Sequence, residues 1–151
     1  MMAPSVIEQS GTPVDRGKLE VLGLDECREL MASVPVARVA FIEAGEPVIL
    51  PVNHLVDWPY IAFRTTYGAK LGAAANEQVA AMEADAYDVH NRSGWSVLVR
   101  GRLELVPDDV IDRLLAANHE VYADGVKRDV WVRIVPTEIS GRRVPAHGPR
   151  L

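Results

Sequence analysis

Cysteine is nearly absent from this sequence, since Cys27 is the single cysteine among 151 residues. One cysteine forms no intramolecular disulfide, and it cannot supply the several thiolates of a structural zinc site. The four histidines, His54, His90, His119 and His147, also lack the spacing of metal ligands. We therefore expect no metal centre, and we expect a reducing, cytoplasmic environment.

Long hydrophobic runs and an excess of positive charge are absent as well. No uncharged apolar run is long enough to cross a bilayer, and the first eighteen residues have no apolar core of signal-peptide length. Acidic residues outnumber basic ones, 21 to 16, which gives a net charge of -5. A broad nucleic-acid-binding face needs the opposite balance, so we expect neither a nucleic acid nor a membrane as partner.

The common catalytic motifs are missing too. The sequence has no Gly-x-Gly-x-x-Gly after a strand, no Walker-type phosphate loop, no Gly-x-Ser-x-Gly and no His-Glu-x-x-His. These absences disfavour dinucleotide-fold dehydrogenases, P-loop enzymes, serine hydrolases and zinc proteases. They fit a protein whose chemistry is carried by a cofactor.

The residues that are present have the balance of one globular domain. Hydrophobic residues make up 48% and charged residues 25% of the chain. Gly, Pro, Ser and Thr cluster near the start. We expect a flexible arm over 1–18, one folded domain over 19–143 and a tail over 144–151.

Six segments have the alternation or the apolar content of β-strands: VARVAFIE, PVILPVNHLV, YIAFRT, QVAAMEADAY, WSVLVRGRLEL and DVWVRIVPTEI. Short connections between the first three indicate an antiparallel meander, and such chains often close into a small barrel. LDECRELMASVP and VPDDVIDRLLAANHEVY are typical of helices. We expect Asp25 to cap the first helix and Cys27 to pack on its buried face. The predicted class is mainly β, of the α+β type.

Two of the predicted strands carry opposite charges. If QVAAMEADAY pairs with WSVLVRGRLEL, we expect Arg100 and Arg102 to meet Glu83 and Asp85 across the ladder. At an exposed face such pairs are modestly stabilising, which favours a structural role for these arginines.

The stretch FRTTYGAKLGAAAN places cations and hydroxyls before an alanine-rich segment. Strand alternation turns Arg64 away from Phe63, and a helix starting near residue 67 would put Lys70 in its first turn. The helix dipole disfavours a cation there unless an anion is bound. Arg64, Thr65, Thr66 and Lys70 could therefore clamp a phosphate. The alternative is that they are solvated charges around a turn.

Several segments together resemble the pyridoxamine 5'-phosphate oxidase-like, FMN-binding split-barrel family, especially its short actinobacterial-type, oxidase-related members. The resemblance rests on ILPVNHLV, FRTTYGAKL, GWSVLVRG and WVRIVPTEISGRR, and it spans Leu24 to Arg143. It implies a six-stranded antiparallel split β-barrel with a few short helices. It also implies a homodimer with FMN at two equivalent interface sites.

The resemblance further implies a set of cofactor-binding residues. The phosphate would be held by Arg64, Thr65, Thr66, Lys70 and Leu71, and the isoalloxazine ring would lie along the second strand at Pro51, Val52 and Asn53. Contacts from the partner subunit would come from Trp95, Ser96 and Val97, and from Trp131 and Arg133. The alternative for both tryptophans is packing at the dimer interface.

The sequence departs from the pyridoxamine phosphate oxidases where those enzymes recognise substrate. Their Arg-Leu-His-Asp-Arg type segment is replaced here by EVYADGVKRDVWVRI, in which Lys127 and Arg128 supply charge and no histidine matches. The resemblance therefore implies an FMN-dependent oxidoreductase acting on another small molecule. A deazaflavin-dependent reductase and a non-catalytic flavin- or heme-binding protein are the alternatives.

Overall fold

The computed structural model describes residues 19–65, 77–117 and 130–146, together with the backbone of Glu8–Gln9. Within these ranges the chain forms eight strands and two helices. In chain order they are β1 (Glu8–Gln9), β2 (Glu20–Val21), α1 (Leu24–Ser33), β3 (Val36–Glu43), β4 (Glu46–Asp57), β5 (Tyr60–Thr65), β6 (Val79–Asp88), β7 (Ser93–Leu105), α2 (Asp108–Ala117) and β8 (Val130–Val144). The six long strands, β3 to β8, lie at the six positions predicted from the sequence, which confirms the fold class.

The six long strands form a closed antiparallel barrel. Neighbours follow the order β8-β5-β4-β3-β6-β7, and pairing of β7 with β8 completes the circuit. β3, β4 and β5 form the predicted meander. Ala44 and Gly45, with φ values of 50° and 81°, form the β3–β4 turn; left-handed backbone at both positions matches the twist of a two-residue hairpin.

The remaining edge of β8 carries the first two strands. β8 pairs with β5 at its start, with β1 in parallel at Glu138 and Ile139, and with β2 at Arg142 and Arg143. β1 falls within the segment for which the sequence predicts a flexible arm, so these two residues of the arm join the sheet.

The main core fills the barrel and continues under α1. Cys27 and Met31 are fully buried on the inner face of α1, as predicted. The predicted cap is wrong, because the N-cap residue is Gly23, which makes no side-chain capping bond. Asp25 lies instead in the first turn, where its charge interacts favourably with the helix dipole. Neither described helix has the length and apolar content needed to cross a membrane.

A second, smaller core lies outside the barrel under α2. Leu114 of α2 packs with Ala62 and Trp131 on the outer faces of β5 and β8. A bidentate ion pair between Arg113 and Asp57, with both N–O distances 2.9 Å, joins α2 to β4. Ala62 on the outer face of β5 is therefore covered by the chain.

The register of β6 and β7 corrects the predicted charge pairing. Arg100 and Arg102 lie opposite Ala81 and Val79, and not opposite the two carboxylates. Glu83 and Asp85 instead receive Nη1 of Arg38 from β3, at 3.2 and 3.4 Å. The sequence pattern identified the face correctly, but the neighbour on the other side of β6 supplies the cation.

Candidate functional site

Arg64 and Thr65 end β5 on opposite faces of the barrel wall. Phe63 is fully buried in the main core, and Arg64 is half-buried on the outer face, as strand alternation predicted. Thr65 is 5% exposed. The pairing partners of these two residues are Trp131 and Val130 at the start of β8. Thr66, Lys70 and Leu71 lie outside the described residues, so the full phosphate clamp stays a prediction.

The predicted ring-binding residues of β4 lie beside this strand end. Val52 points into the core, whereas Pro51 and Asn53 are exposed on the outer face. The β4–β5 ladder ends at the pair His54–Phe63, so Asn53 and Arg64 are the next residues along the two strands. Alternation places both side chains on the outer face. We call Pro51, Val52, Asn53, Arg64 and Thr65 the strand-end group.

Trp131 and Arg133 are covered by their own chain. Trp131 is 5% exposed and packs in the outer core beneath Leu114. Arg133 is also 5% exposed; its Nε donates to Oε1 of Glu104 at 2.6 Å, and its guanidinium lies 4.0 Å from the ring centroid of Tyr60. Both side chains therefore have contacts within the subunit, and their contact with a cofactor stays a prediction.

Trp95, Ser96 and Val97 lie on β7, close to the β6–β7 turn. Val97 is buried in the core, Ser96 is exposed and Trp95 is half-buried. Trp95 lines a cavity of about 450 Å³ between the β6–β7 turn and the end of β8, which we call the hairpin cavity. Its lining is Ala86, Tyr87, Asp88, Ser93, Gly94, Trp95 and the segment Arg143, Val144, Pro145 and Ala146. A second hollow of about 270 Å³ shares Trp95 and adds Ser96.

The polar groups of the hairpin cavity are held by neighbours. Asp88 accepts hydrogen bonds from Nδ2 of Asn91 at 2.7 Å and from the backbone N–H groups of Asn91 and His90. Hydrogen bonding, first from the Asn91 backbone, lowers the pKa of Asp88 and keeps it ionised. Nη1 of Arg143 lies 3.1 Å from Oε2 of Glu26. Because these polar groups already have partners, the cavity surface that remains for a ligand is mainly aromatic and apolar.

Different strands carry these two parts of the predicted site within one subunit. Arg64 on β5 and Trp95 on β7 are not paired with each other, and β4, β3 and β6 lie between their strands. The row Pro51, Arg38, Glu83 and Leu98 crosses from β4 to β7, so these strands are three spacings apart, roughly 14 Å. One chain therefore brings Pro51 to Asn53 next to Arg64, and Trp95 lies farther along the barrel wall.

His54 is a buried polar residue for which the sequence predicted no special role. It is 6% exposed, and its Nε2 lies 2.7 Å from the Met31 carbonyl oxygen. Nδ1 is buried and has no hydrogen-bond partner among the described residues. Burial lowers the pKa of His54, and the Met31 bond partly opposes that shift. Alternation in PVNHLV, which puts Val52, His54 and Val56 on one face, is the signal that could have identified it.

Glu83 and Asp85, on β6 next to β3, are a second feature for which the sequence predicted other partners than the structure shows. Burial raises the pKa of Glu83, the adjacent Asp85 raises it further, and Arg38 lowers it. Among the described residues, no three Asp, Glu, His or Cys side chains come together as a metal-binding group.

Comparison with known proteins identifies the family. A sequence profile described as pyridoxamine 5'-phosphate oxidase matches residues 24–143. An uncharacterized protein of Mycobacterium tuberculosis is 35% identical over 141 residues, covering 89% of this chain and 91% of the relative. The profile match spans all but the first five residues of the predicted folded domain, 19–143.

Solved structures agree with this assignment. The FAD binding protein from Mycobacterium smegmatis is 33% identical, with a TM-score of 0.63, and the match covers 83% of this chain and 98% of that one. A FAD-binding protein from Mesorhizobium loti, 22% identical, shares the fold with a TM-score of 0.69 over 85% of this chain and 99% of its own. The chain therefore belongs to the pyridoxamine 5'-phosphate oxidase-like family of split-barrel proteins.

Proposed function

We propose that this chain is a flavin-dependent oxidoreductase that acts on a small molecule and works as a homodimer. In this proposal Arg64 of one subunit holds the flavin phosphate. Trp95 and Ser96 of the other subunit contact the flavin ring. The observation that carries the proposal is that Trp95 lies on β7, separated from Arg64 on β5 by β4, β3 and β6. Each part is half of a flavin site, and a second copy can supply the other half.

The chemistry of the two halves suits a flavin. Arg64 offers a planar, permanently charged group for a phosphate, and the neighbouring Asn53 offers an exposed amide. The hairpin cavity, with Trp95 in its wall, has a volume of about 450 Å³, within the usual range of small-molecule sites. Trp95 thus suits the flat aromatic ring of a flavin, and Arg64 suits its anionic tail.

A bound flavin supplies hydride and electron transfer, and the protein's own residues bind and orient it. Arg64 fixes the anionic tail. Pro51 and Val52 present strand backbone to the ring, and Pro51 is exposed on the outer face. Trp95 adds an apolar wall that excludes water. No side-chain general base is assigned in this proposal, because the chemistry resides in the cofactor.

The identity of the flavin has two candidates. The sequence resemblance implies FMN, whereas the solved relative that is 33% identical is named as a FAD binding protein. Calorimetric titration of the ligand-free protein with FMN, FAD and a deazaflavin cofactor separates them. We expect the tightest binding with FMN. Binding of the deazaflavin alone would contradict the flavin proposal, and heme absorbance in the purified protein would favour the heme-binding alternative.

Replacing Arg64 tests the phosphate contact. A charge-assisted hydrogen bond contributes about 1.5–3 kcal/mol, so Arg64→Ala should weaken FMN binding by roughly 10- to 150-fold. Arg28→Ala, an exposed arginine on α1, is the matched control and should bind FMN as the wild type does. Equal FMN affinity in the two variants would remove Arg64 from the site.

A mixed dimer tests the shared site. Arg64→Ala and Trp95→Ala homodimers should each bind flavin weakly at both sites. If each site takes Arg64 from one subunit and Trp95 from the other, a mixed dimer has one intact site and one doubly altered site. Co-refolding the two variants should therefore restore tight binding to about a quarter of all sites, given statistical mixing. No recovery, or a monomer by light scattering, would contradict the shared site.

Turnover tests the reaction class. With bound flavin we expect oxidation of a nicotinamide donor coupled to reduction of an acceptor, measured by the loss of donor absorbance. A flavin-loaded protein without any such turnover would favour the non-catalytic alternative. The segment in which the sequence departs from pyridoxamine phosphate oxidases, including Lys127 and Arg128, lies outside the described residues. We expect no oxidation of pyridoxamine phosphate.

A further inference from the structure

His54 of β4 is hydrogen-bonded to the last turn of α1 and to the segment that connects α1 to β3. Its Nε2 lies 2.7 Å from the carbonyl oxygen of Met31 in the last turn of α1. Its backbone N–H donates to the carbonyl of Pro35 at 3.2 Å. The first of these bonds depends on the imidazole side chain. His54 therefore connects the strand that carries Pro51, Val52 and Asn53 to the helix packed beneath it.

The imidazole of His54 is only half satisfied. Because a carbonyl oxygen accepts from Nε2, that nitrogen carries the proton and Nδ1 has a lone pair. Nδ1 is buried without a hydrogen-bond partner in the part of the chain that the structure describes. An unsatisfied buried acceptor costs free energy, which an apolar side chain of similar size would avoid. Packing alone therefore does not favour histidine at this position.

The surroundings of His54 offer no described counter-charge for an imidazolium. Inward-facing neighbours on β3 and β5 are the apolar or uncharged residues Ala37, Phe63 and Thr65, and the buried titratable group on the inner face of α1 is the Cys27 thiol. The charged residues of α1 are exposed, namely Asp25, Glu26, Arg28 and Glu29. A proton on Nδ1 would thus be a buried donor and a buried charge at once.

We propose that neutral His54 is a positioning residue for the ligand-binding segment of β4, and that its protonation weakens flavin binding. Asn53 directly precedes His54 and lies on the outer face beside Arg64, so movement of the His54 backbone moves Asn53. Relieving a buried imidazolium requires opening the contact between β4 and α1. The inference rests on the proposed function for its ligand, but its structural part stands on the two bonds to Met31 and Pro35.

The test is the pH dependence of FMN affinity in three proteins: wild type, His54→Gln and His90→Gln. Glutamine can still donate to the Met31 carbonyl but takes up no proton, and His90 is an exposed histidine that serves as the matched control. The pKa of His54 is lowered from the ordinary 6.5, so below that lowered pKa Kd for wild type and His90→Gln should rise by up to about tenfold per pH unit, the limit for one coupled proton. The FMN phosphate also titrates near pH 6, and it affects all three proteins alike.

His54→Gln should show only the shallow slope that the phosphate contributes. An equally steep rise of Kd in His54→Gln and wild type would overturn the proposal. Amide hydrogen exchange of the ligand-free proteins provides an arm that needs no flavin. After correction for intrinsic rates, protection of the residue 54 amide should fall below pH 6.5 in wild type and not in His54→Gln.

The two arms separate failure of the proposed function from failure of this inference. If none of the three proteins binds FMN or FAD, the flavin proposal fails. Amide exchange then still decides whether His54 holds the strand in a pH-dependent way. Equal pH dependence of residue 54 protection in wild type and His54→Gln would overturn the positioning role.

Discussion

Substitution of Trp131 tests whether this side chain is a packing residue, as its contacts indicate, or a ligand-binding residue. Its side chain is 5% exposed and packs with Ala62, Val106 and Leu114 under α2. Truncation of a buried tryptophan to alanine costs about 3–5 kcal/mol, since it removes buried apolar area and leaves a cavity. We therefore expect Trp131→Ala to lower the free energy of unfolding by about that amount.

The assay compares stability and flavin affinity in one set of variants. For a domain of this length, each kcal/mol shifts Tm by about 2–4 °C, so Trp131→Ala should melt roughly 6–20 °C below wild type. Trp95→Ala is the matched variant at the hairpin cavity. Because Trp95 is half-buried, it should lose less stability and more flavin affinity. Trp131→Phe, which keeps a ring under α2, should lie between Trp131→Ala and wild type in stability.

The opposite pattern would refute this reasoning. If Trp131→Ala melted within a degree or two of wild type and bound flavin more weakly than Trp95→Ala, Trp131 would be a ligand contact. The packing of α2 on the outer face would then contribute little to stability. Flavin affinity must be measured well below the Tm of each variant, so that unfolding does not imitate loss of binding.

Three further changes test the barrel and its charges. A Cβ on Gly101 would overlap the backbone of β8 at the bulge, so Gly101→Ala should lower the free energy of unfolding in urea by about 1–3 kcal/mol. Gly23→Ala is the control: its added methyl meets no described atom within 4 Å, so its stability should stay near that of wild type. Asp85→Asn should lower the pKa of Glu83 in a carbon-detected NMR titration, because Asp85 raises it; an unchanged value would contradict the coupling. Because the pKa of His54 is lowered in the folded protein, the unfolded chain takes up a proton at this histidine first as the pH falls. The free energy of unfolding should therefore decrease below pH 6.5. In acid unfolding curves, His54→Phe should show a smaller decrease of stability with pH than wild type.

Local pattern predicted those features that depend on neighbouring residues in the chain. Period-two alternation located all six long strands and turned Arg64 away from the interior. Helical periodicity placed Cys27 and Met31 on the buried face of α1. These features follow from backbone geometry, which sets the direction of each side chain whatever the distant partners are.

Features that depend on strand register, and on pairing between strands that are not consecutive in the chain, were missed. The sequence matched Glu83 and Asp85 with cations on β7, but the structure gives them Arg38, because β6 has β3 on its other edge. It also predicted a side-chain cap at Asp25, whereas the N-cap residue is Gly23, two residues earlier. Ladder register and helix entry are set by packing of the whole barrel, so single-strand alternation does not specify them.

The sequence by itself determined the strands, the facing of Arg64 and, through the order and spacing of its motifs, the family. Only the tertiary structure decided that β4, β3 and β6 lie between the strands of Arg64 and Trp95, and that Trp131 and Arg133 are covered by their own chain. The physical reason is that alternation assigns a side chain to one of two faces. Whether that face is open, or covered by an element such as α2, depends on contacts between residues far apart in the chain.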